Sequence, residues 1–274
     1  MKIVYSGKCL SYPGYPESPD RVRNASAYLR QHRYKFIEPP PATEEDILRV
    51  HARAYVESVK TGVSNPDTPW YENIYEIALL SAGGAILAAK EKGFSLMRPP
   101  GHHAGRNGSA LGVYTRGFCY FNSMAIAVKR LSLKTLIIDI DGHHGNGTQE
   151  IFLNNPKVVY ISLHRMNIYP ETGNSSEANC LNFPLPYDTG DDLYLKTLNK
   201  AISKVSTKDF EIVGISAGFD AHEGDLASLG LSSECYYNIG KKIKMLNLPS
   251  FGILEGGYSK HLGKSIDQLL AGLE

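Results

Sequence analysis

The sequence predicts an α/β fold three layers deep, with helices on both faces of a mostly parallel central sheet. Two observations predict it. Short runs rich in Ile, Val, Leu and aromatic residues alternate with amphipathic stretches along the chain, the pattern of strands joined by crossover helices. Clusters of polar and small residues also follow several of these runs directly, and open α/β sheets bind ligands outside the carboxyl ends of their strands.

Taken in order, strands are expected at Ile3 to Tyr5, Tyr34 to Ile37, Phe94 to Met97, Thr135 to Ile140, Val158 to Leu163, Ile212 to Ser216 and Ser250 to Leu254. Ser18 followed by Pro19 has the cap-then-proline signature of a helix start, and Thr43 with Asp46 resembles a capping box ahead of Ile47 and Leu48. Longer helical patterns cover Ile74 to Lys92, Asp192 to Val205, Ser233 to Leu246 and His261 to Leu273. No repeat, low-complexity segment or linker interrupts them. The 274 residues, 42% apolar, are therefore read as one domain spanning 1–274.

The charge balance, 29 Lys plus Arg against 28 Asp plus Glu, lacks the basic footprint of a nucleic-acid or membrane-surface binder. No segment reaches the roughly 18 apolar residues of a membrane span. The start MKIVYSGKCL carries no long apolar stretch or cleavage site, so a cytoplasmic location is expected. Cys9, Cys119, Cys180 and Cys235 show no C-x-x-C spacing, which argues against a thiolate zinc site and a disulfide framework.

Four clusters carry chemistry: RPPGHHA, DIDGHH, SAGFDAH and LEGGY, each after a different expected strand. In DIDGHH, an extended chain puts Asp139, Asp141 and His143 on one face and Ile140 on the other. Two carboxylates and an imidazole stacked there are costly unless a cation or hydrogen bonds compensate them, and a metal is the simplest compensation. Capping acids and satisfied core histidines are the plain alternative. His102 and His103 follow prolines that keep the loop out of a helix, and two adjacent imidazoles suit separate acid/base or hydrogen-bonding roles; read alone, they are more readily a surface pair. Asp220, after the small Ala217 and Gly218, offers a third anionic ligand or an ordinary helix cap. Tyr258, after Gly256 and Gly257, is placed either to donate to a developing oxyanion or to pack in a turn.

In this order the clusters resemble the superfamily of histone deacetylases, acetylpolyamine amidohydrolases and acetoin-utilisation proteins. The resemblance runs from YPESPDR, at Tyr15 to Arg21, through GFCYFN and DIDGHHGNGT to Tyr258. It implies the deacetylase-like α/β/α fold and hydrolysis of an acetylated amine, acetyl-lysine or an acetylpolyamine, at one zinc ion held by Asp141, His143 and Asp220. Fe(II) or Co(II) would compete for so oxygen-rich a set. By the same resemblance His102 is held by Asp139, and His103 acts as general base and then acid with Asn146 as its partner. Asp139, Asp141, His143, Ser162 and Leu163 match a structural monovalent cation site, most simply for potassium, and Arg21 an internal channel linked to acetate release. Phe118 and Tyr169 match the aromatic tunnel walls, with Gly256 and Leu226 at the substrate. Tyr15 in place of the family's His, Tyr169 in place of the commoner Phe, and a long loop from Gly105 to Arg116 are departures. The rim segment from Val63 to Tyr71 offers Asp67 to a cationic substrate or to solvent.

Two other readings are weighed. A binuclear ureohydrolase needs a further bridging carboxylate after Asp141, which Gly145, Asn146 and Gly147 do not supply. A non-catalytic binding module would be expected to lack a metal ligand or Tyr258, and none is missing. Metal stoichiometry and turnover separate the three.

Overall fold

Apolar runs that read as continuous, without alternation, become the strands buried on both faces, as a parallel sheet demands. The computed structural model describes residues 1–63 and 65–274, and Ser64, inside the rim segment, lies outside the described residues. In chain order the elements are β1 (Ile3–Val4), α1 (Pro19–Gln31), β2 (Phe36–Ile37), α2 (Glu44–Leu48), α3 (Arg53–Thr61), α4 (Ile74–Glu91), β3 (Phe94–Ser95), α5 (Ser123–Leu131) and β4 (Thr135–Asp139). They continue with α6 (Asn146–Phe152), β5 (Val158–Arg165), β6 (Cys180–Leu185), α7 (Gly190–Ile202), β7 (Ile212–Ala217), α8 (Ser233–Lys244), β8 (Ser250–Leu254) and α9 (Leu262–Leu273).

Among the described residues the strands form one eight-stranded sheet, ordered β2-β1-β3-β8-β7-β4-β5-β6, with every pairing parallel. The four strands expected to carry chemistry, β3, β8, β7 and β4, are thus consecutive neighbours, so their carboxyl ends open onto one place. Helices α2 to α6 pack on one another, as do α1, α7, α8 and α9, and α6 and α7 both touch β5, which puts the sheet between two helical layers. Leu136, Ile137 and Ile138 of β4 are fully buried, each worth about 1.5–3 kcal/mol of transfer free energy. Asp139, the last residue of β4, is buried with them and must be compensated by its neighbours.

The helix starts follow the sequence. Thr43 and Asp46 form the reciprocal capping box of α2, and α1 begins at Pro19 after Ser18. Four elements were not expected: α3, α5, α6 and β6. In α5 the run Met124 to Val128 is apolar without a visible helical stripe because the helix is buried nearly all round. Strand β6 contains Pro184, which argues against a strand from sequence, yet it is tolerated because β6 is an edge. The expected strands at Ile3 to Tyr5, Tyr34 to Ile37 and Phe94 to Met97 shorten to two residues each. No helix among the described residues is long and apolar enough to cross a membrane.

Candidate active site

Strand β4 ends at Asp139, and the chain leaves extended geometry there, so the expected stack of Asp139, Asp141 and His143 does not form. Instead Asp141 N–H donates to Asp139 Oδ1 at 3.1 Å and His143 N–H to Asp141 Oδ1 at 2.9 Å, each bond curling the loop back. Asp139 turns toward His102, and Asp141 and His143 turn toward β7. There they meet Asp220: His143 Nδ1 is 2.7 Å from Asp220 Oδ2 and 3.3 Å from Asp141 Oδ1. One ligand atom from each of Asp141, His143 and Asp220 lies within 4.8 Å of the others, as a shared cation requires. A Cβ on Gly218 would fall on the Asp141 carboxylate, so only glycine allows β7 this close.

The carboxylates are preorganised by backbone donors. Gly256 N–H donates to Asp141 Oδ2 and Gly142 N–H to Asp220 Oδ1, both at 2.8 Å. Burial and the charge of Asp141 push Asp220 up to about 6. Asp141 goes the other way: burial opposes its charge, but His102 and His143 hold it well below the ordinary carboxylate range. Burial likewise opposes a charge on His143, and Asp220 with Asp141 overcomes it, raising the imidazole to about 10. A divalent cation in this cluster would satisfy the same two carboxylates that the proton on His143 satisfies without it.

His102 and His103 are both buried, not a surface pair. His102 Nδ1 stands 3.1 Å from Asp139 Oδ2, which also accepts from the Tyr160 hydroxyl at 2.8 Å. Burial disfavours its charge, yet Asp141 and then Asp139 raise it to about 10, while burial raises Asp139. His103 Nδ1 donates to Asn146 Oδ1 at 2.8 Å. The amide is oriented from its other end, where Nδ2 donates to the Ala110 carbonyl at 3.1 Å, so Nε2 of His103 is left as the free base. Burial, then the charges of His102 and His143, hold His103 well below 6.5. The long loop from Gly105 to Arg116 therefore reaches the site through Ala110.

These groups surround a cavity of about 190 Å³ whose lining includes His103, Asp141, His143, Phe118, Tyr169 and Tyr258. Gly256, Leu226, His102 and Asp67 complete the expected set on its wall. Phe118 meets the Tyr258 ring edge-on at 6.1 Å, and Tyr169 meets His103 at 5.0 Å. Asp139, Asn146 and Asp220 stand behind the lining. Burial keeps the Tyr258 phenol protonated, well above its usual range, and hence able to donate.

Three further expected positions have partners of their own. Asp67 is half-buried at the edge of this cavity, and its carboxylate accepts from Arg116 N–H at 3.0 Å and Gly117 N–H at 2.8 Å, fixing the turn into Phe118. Ser162 is paired in register with Asp139, and its hydroxyl bonds His164 Nδ1 at 2.8 Å; Leu163 follows, buried. Arg21 is clamped by Glu17 and the carbonyls of Gly257 and Glu255, with its guanidinium 4.5 Å from the Tyr258 ring centre, and it lines a separate cavity of about 420 Å³ behind that ring.

Sequence reasoning missed Glu255 and Arg98. Glu255 is fully buried, accepts from Gly101 and His102 N–H at 2.7 and 3.1 Å, and is pushed by burial to about 7. Arg98 binds both Glu17 oxygens and the carbonyls of Cys9 and Tyr12. A charged residue inside an otherwise small or apolar motif, as in LEGGY and RPPGHHA, was the available signal.

Residues 15–273 match the histone deacetylase domain family. A probable deacetylase of Archaeoglobus fulgidus is 38% identical over 297 aligned positions, which cover 94% of this chain and 81% of that protein. A histone deacetylase-like amidohydrolase of Pseudomonas aeruginosa is 31% identical over 284, covering 90% of this chain and 73% of its own length. Among solved structures, that of the HDA15 HD domain is similar with a TM-score of 0.87 and 31% identity, over 98% of this chain and 87% of that one. The acetylpolyamine aminohydrolase of Burkholderia pseudomallei shares the fold at a TM-score of 0.88 and 24% identity, over 99% and 98%.

Proposed function

Because the chain belongs to the histone deacetylase family, it is an enzyme that hydrolyses acetylated amines, and we propose that it does so in the cavity between Phe118, Tyr169 and Tyr258 with one zinc ion held by Asp141, His143 and Asp220. The family is metal-dependent, and the buried Asp/His/Asp group is able to bind a metal. Zinc suits three protein donors with an open position, and Fe(II) or Co(II) would fit the same donors. When bound, such an ion supplies Lewis acidity, polarising the acetamide carbonyl and acidifying the attacking water.

In this reading His103 Nε2 takes a proton from water as its oxygen bonds to the carbonyl carbon, and the displaced electron pair moves onto the carbonyl oxygen. Tyr258 donates a hydrogen bond to that oxygen, a contribution of about 3–4 kcal/mol in comparable oxyanion sites. The C–N bond then breaks as His103 returns the proton to nitrogen, releasing acetate and the free amine. Asn146 holds the His103 tautomer, and Asp139 holds His102. Phe118, Tyr169, Gly256 and Leu226 would line the aliphatic stem, and Asp67 would shape the entrance. Arg21 would border the acetate exit, and potassium would bind at Asp139, Asp141, His143, Ser162 and Leu163. Four free, buried cysteines suit a reducing cytoplasm.

The observation that carries the reading is that one cavity gathers an imidazole with a free Nε2, a neutral phenol and two of the three metal donors. It is tested by hydrolysis of an acetyl-lysine peptide and of acetylated putrescine or spermidine by metal-loaded protein, beside Tyr258→Phe. A fall in kcat of about 100-fold or more with KM little changed is expected for the variant. A loss confined to KM would remove the oxyanion role from Tyr258.

A further inference from the structure

Tyr258 has a weakness built into its position. It lies in the irregular stretch between the end of β8 and the start of α9, directly after two glycines. Both are required. A Cβ on Gly256 would lie 2.7 Å from Asp141 Oδ2 and 2.8 Å from Asp220 Oδ2, and Gly257 has φ +117°. Gly256 clears the metal ligands and Gly257 takes the left-handed turn, and the pair leaves the backbone before the phenol with little intrinsic torsional restraint. An oxyanion donor works only if it is already aimed where charge develops, so something outside the segment must restrain it.

We infer that Asp225 is that restraint, a positioning residue that fixes the aim of the Tyr258 hydroxyl by clamping its backbone. The successive amides of Tyr258 and Ser259 form a small anion-binding nest, and the Asp225 carboxylate fills it. Its Oδ2 accepts from Tyr258 N–H at 2.9 Å and from Ser259 N–H at 2.8 Å, and its Oδ1 stands 3.2 Å from the same Tyr258 nitrogen. These are charge-assisted bonds, roughly twice as strong as neutral ones. The ring is held separately, between the Arg21 guanidinium on one side and the Phe118 edge on another. Backbone and ring together leave the hydroxyl little room to swing.

The clamp is anchored to the metal ligands. Asp225 belongs to the turn that follows Asp220, and that turn is closed on Asp220 itself, whose carbonyl accepts from Ala227 N–H at 3.1 Å and Ser228 N–H at 3.0 Å. Asp225 N–H reaches back to the His222 carbonyl at 3.1 Å, and its Oδ1 also takes Leu226 N–H at 2.8 Å. One short loop therefore carries a metal ligand, the clamp and the rim residue Leu226, and it ties the distance between the metal cluster and the phenol to its own rigid geometry.

The inference rests on Tyr258 as oxyanion donor, and a double-mutant cycle separates the two. In metal-loaded full-length protein acting on an acetyl-lysine peptide, Asp225→Ala is expected to lower kcat by about 10-fold or more, with KM changed less than about 3-fold and metal content unchanged. In a Tyr258→Phe background the same change should cost less than about 2-fold further, because the group it aims is gone. Asp225→Asn, which keeps one neutral carbonyl acceptor but loses the charge and the second oxygen, should fall between and serves in the cycle if the alanine variant does not fold. Equal losses of kcat in both backgrounds, or no loss in the wild-type background, would overturn the positioning role. If Tyr258→Phe alone keeps full kcat, the donor assignment fails first and takes the clamp with it.

Discussion

His102 and His103 are adjacent in sequence, both are buried, and their surroundings give them opposite charge states. The seat of His102 is built of carboxylates: Asp139 at 3.1 Å, Asp141 at 3.8 Å, and Glu255 beneath its own backbone amide. The seat of His103 is built of an amide and two neighbouring imidazoles. The first holds a proton and the second sheds it. A bound dication would draw the charge of Asp141 toward itself and leave Asp139 as the partner of His102, so the contrast rests on carboxylate against amide. The difference teaches that burial alone does not decide the state of an imidazole, because the charges gathered around it do.

Paired alanine substitutions offer the largest test of the contrast. His103→Ala should lower kcat by roughly 10²–10⁴-fold, the worth of a general acid–base, and His102→Ala by clearly less, since it supports the site without moving the reacting proton. Equal losses, measured by steady-state kinetics with metal content checked, would break the division of labour.

Exchanging one seat's chemistry for the other's should do less. Asn146→Asp places a carboxylate on His103 Nδ1 and raises its pKa. A general base acts only when deprotonated, so the acid limb of the kcat/KM profile should move up by about one pH unit. The new carboxylate also loses the donor that met Ala110 and would leave that carbonyl facing an oxygen, costing about 1–3 kcal/mol of stability. An unmoved limb would show that Asn146 does not set the basicity of His103.

The smallest effect sharpens the comparison away from the site. His51 donates from Nδ1 to the Gly105 carbonyl and accepts at Nε2 from Asn122 N–H, both at 2.9 Å, and burial lowers it to about 4. Burial also lowers His144 to about 3 and His164 to about 4. Their folded pKa values lie below the unfolded one near 6.5, so their neutral forms favour the fold. That stability is fully present above about pH 6.5 and lost as pH falls through about 4. Unfolding free energies from denaturant titration should decline over that window by on the order of 3 kcal/mol for His51 alone, and His51→Gln should flatten the slope.

Much of this contrast was legible in the sequence, and for physical reasons. The strands Thr135 to Ile140, Val158 to Leu163, Ile212 to Ser216 and Ser250 to Leu254 emerge because strands buried on both faces read as unbroken apolar runs. The motifs stand out because buried charge is rare in such company. Asp225 did not stand out: an acid in a Gly-Asp-Leu turn looks like any loop acid until the amides of residues 258 and 259, far along the chain, are seen beside it. Asp67 was visible, but nothing local tells that the amides before Phe118 hold its carboxylate. Helix α6 was hidden because its first turn lies within the motif itself, with Gly145 and Gly147 flanking Asn146.

The order of the sheet also determines when the site comes into being. Strand β8, made after both of its neighbours, slots between β3, completed some 150 residues earlier, and β7. Until it inserts, Asp141 and Asp220 are present but Gly256 N–H, the Arg21 carbonyl partners and Tyr258 are not. So distant a pairing is closed late and slowly. Hydrolytic competence therefore waits on β8, and a nascent chain stalled before Ser250 carries its acids and imidazoles as an incomplete cluster with no phenol to answer them.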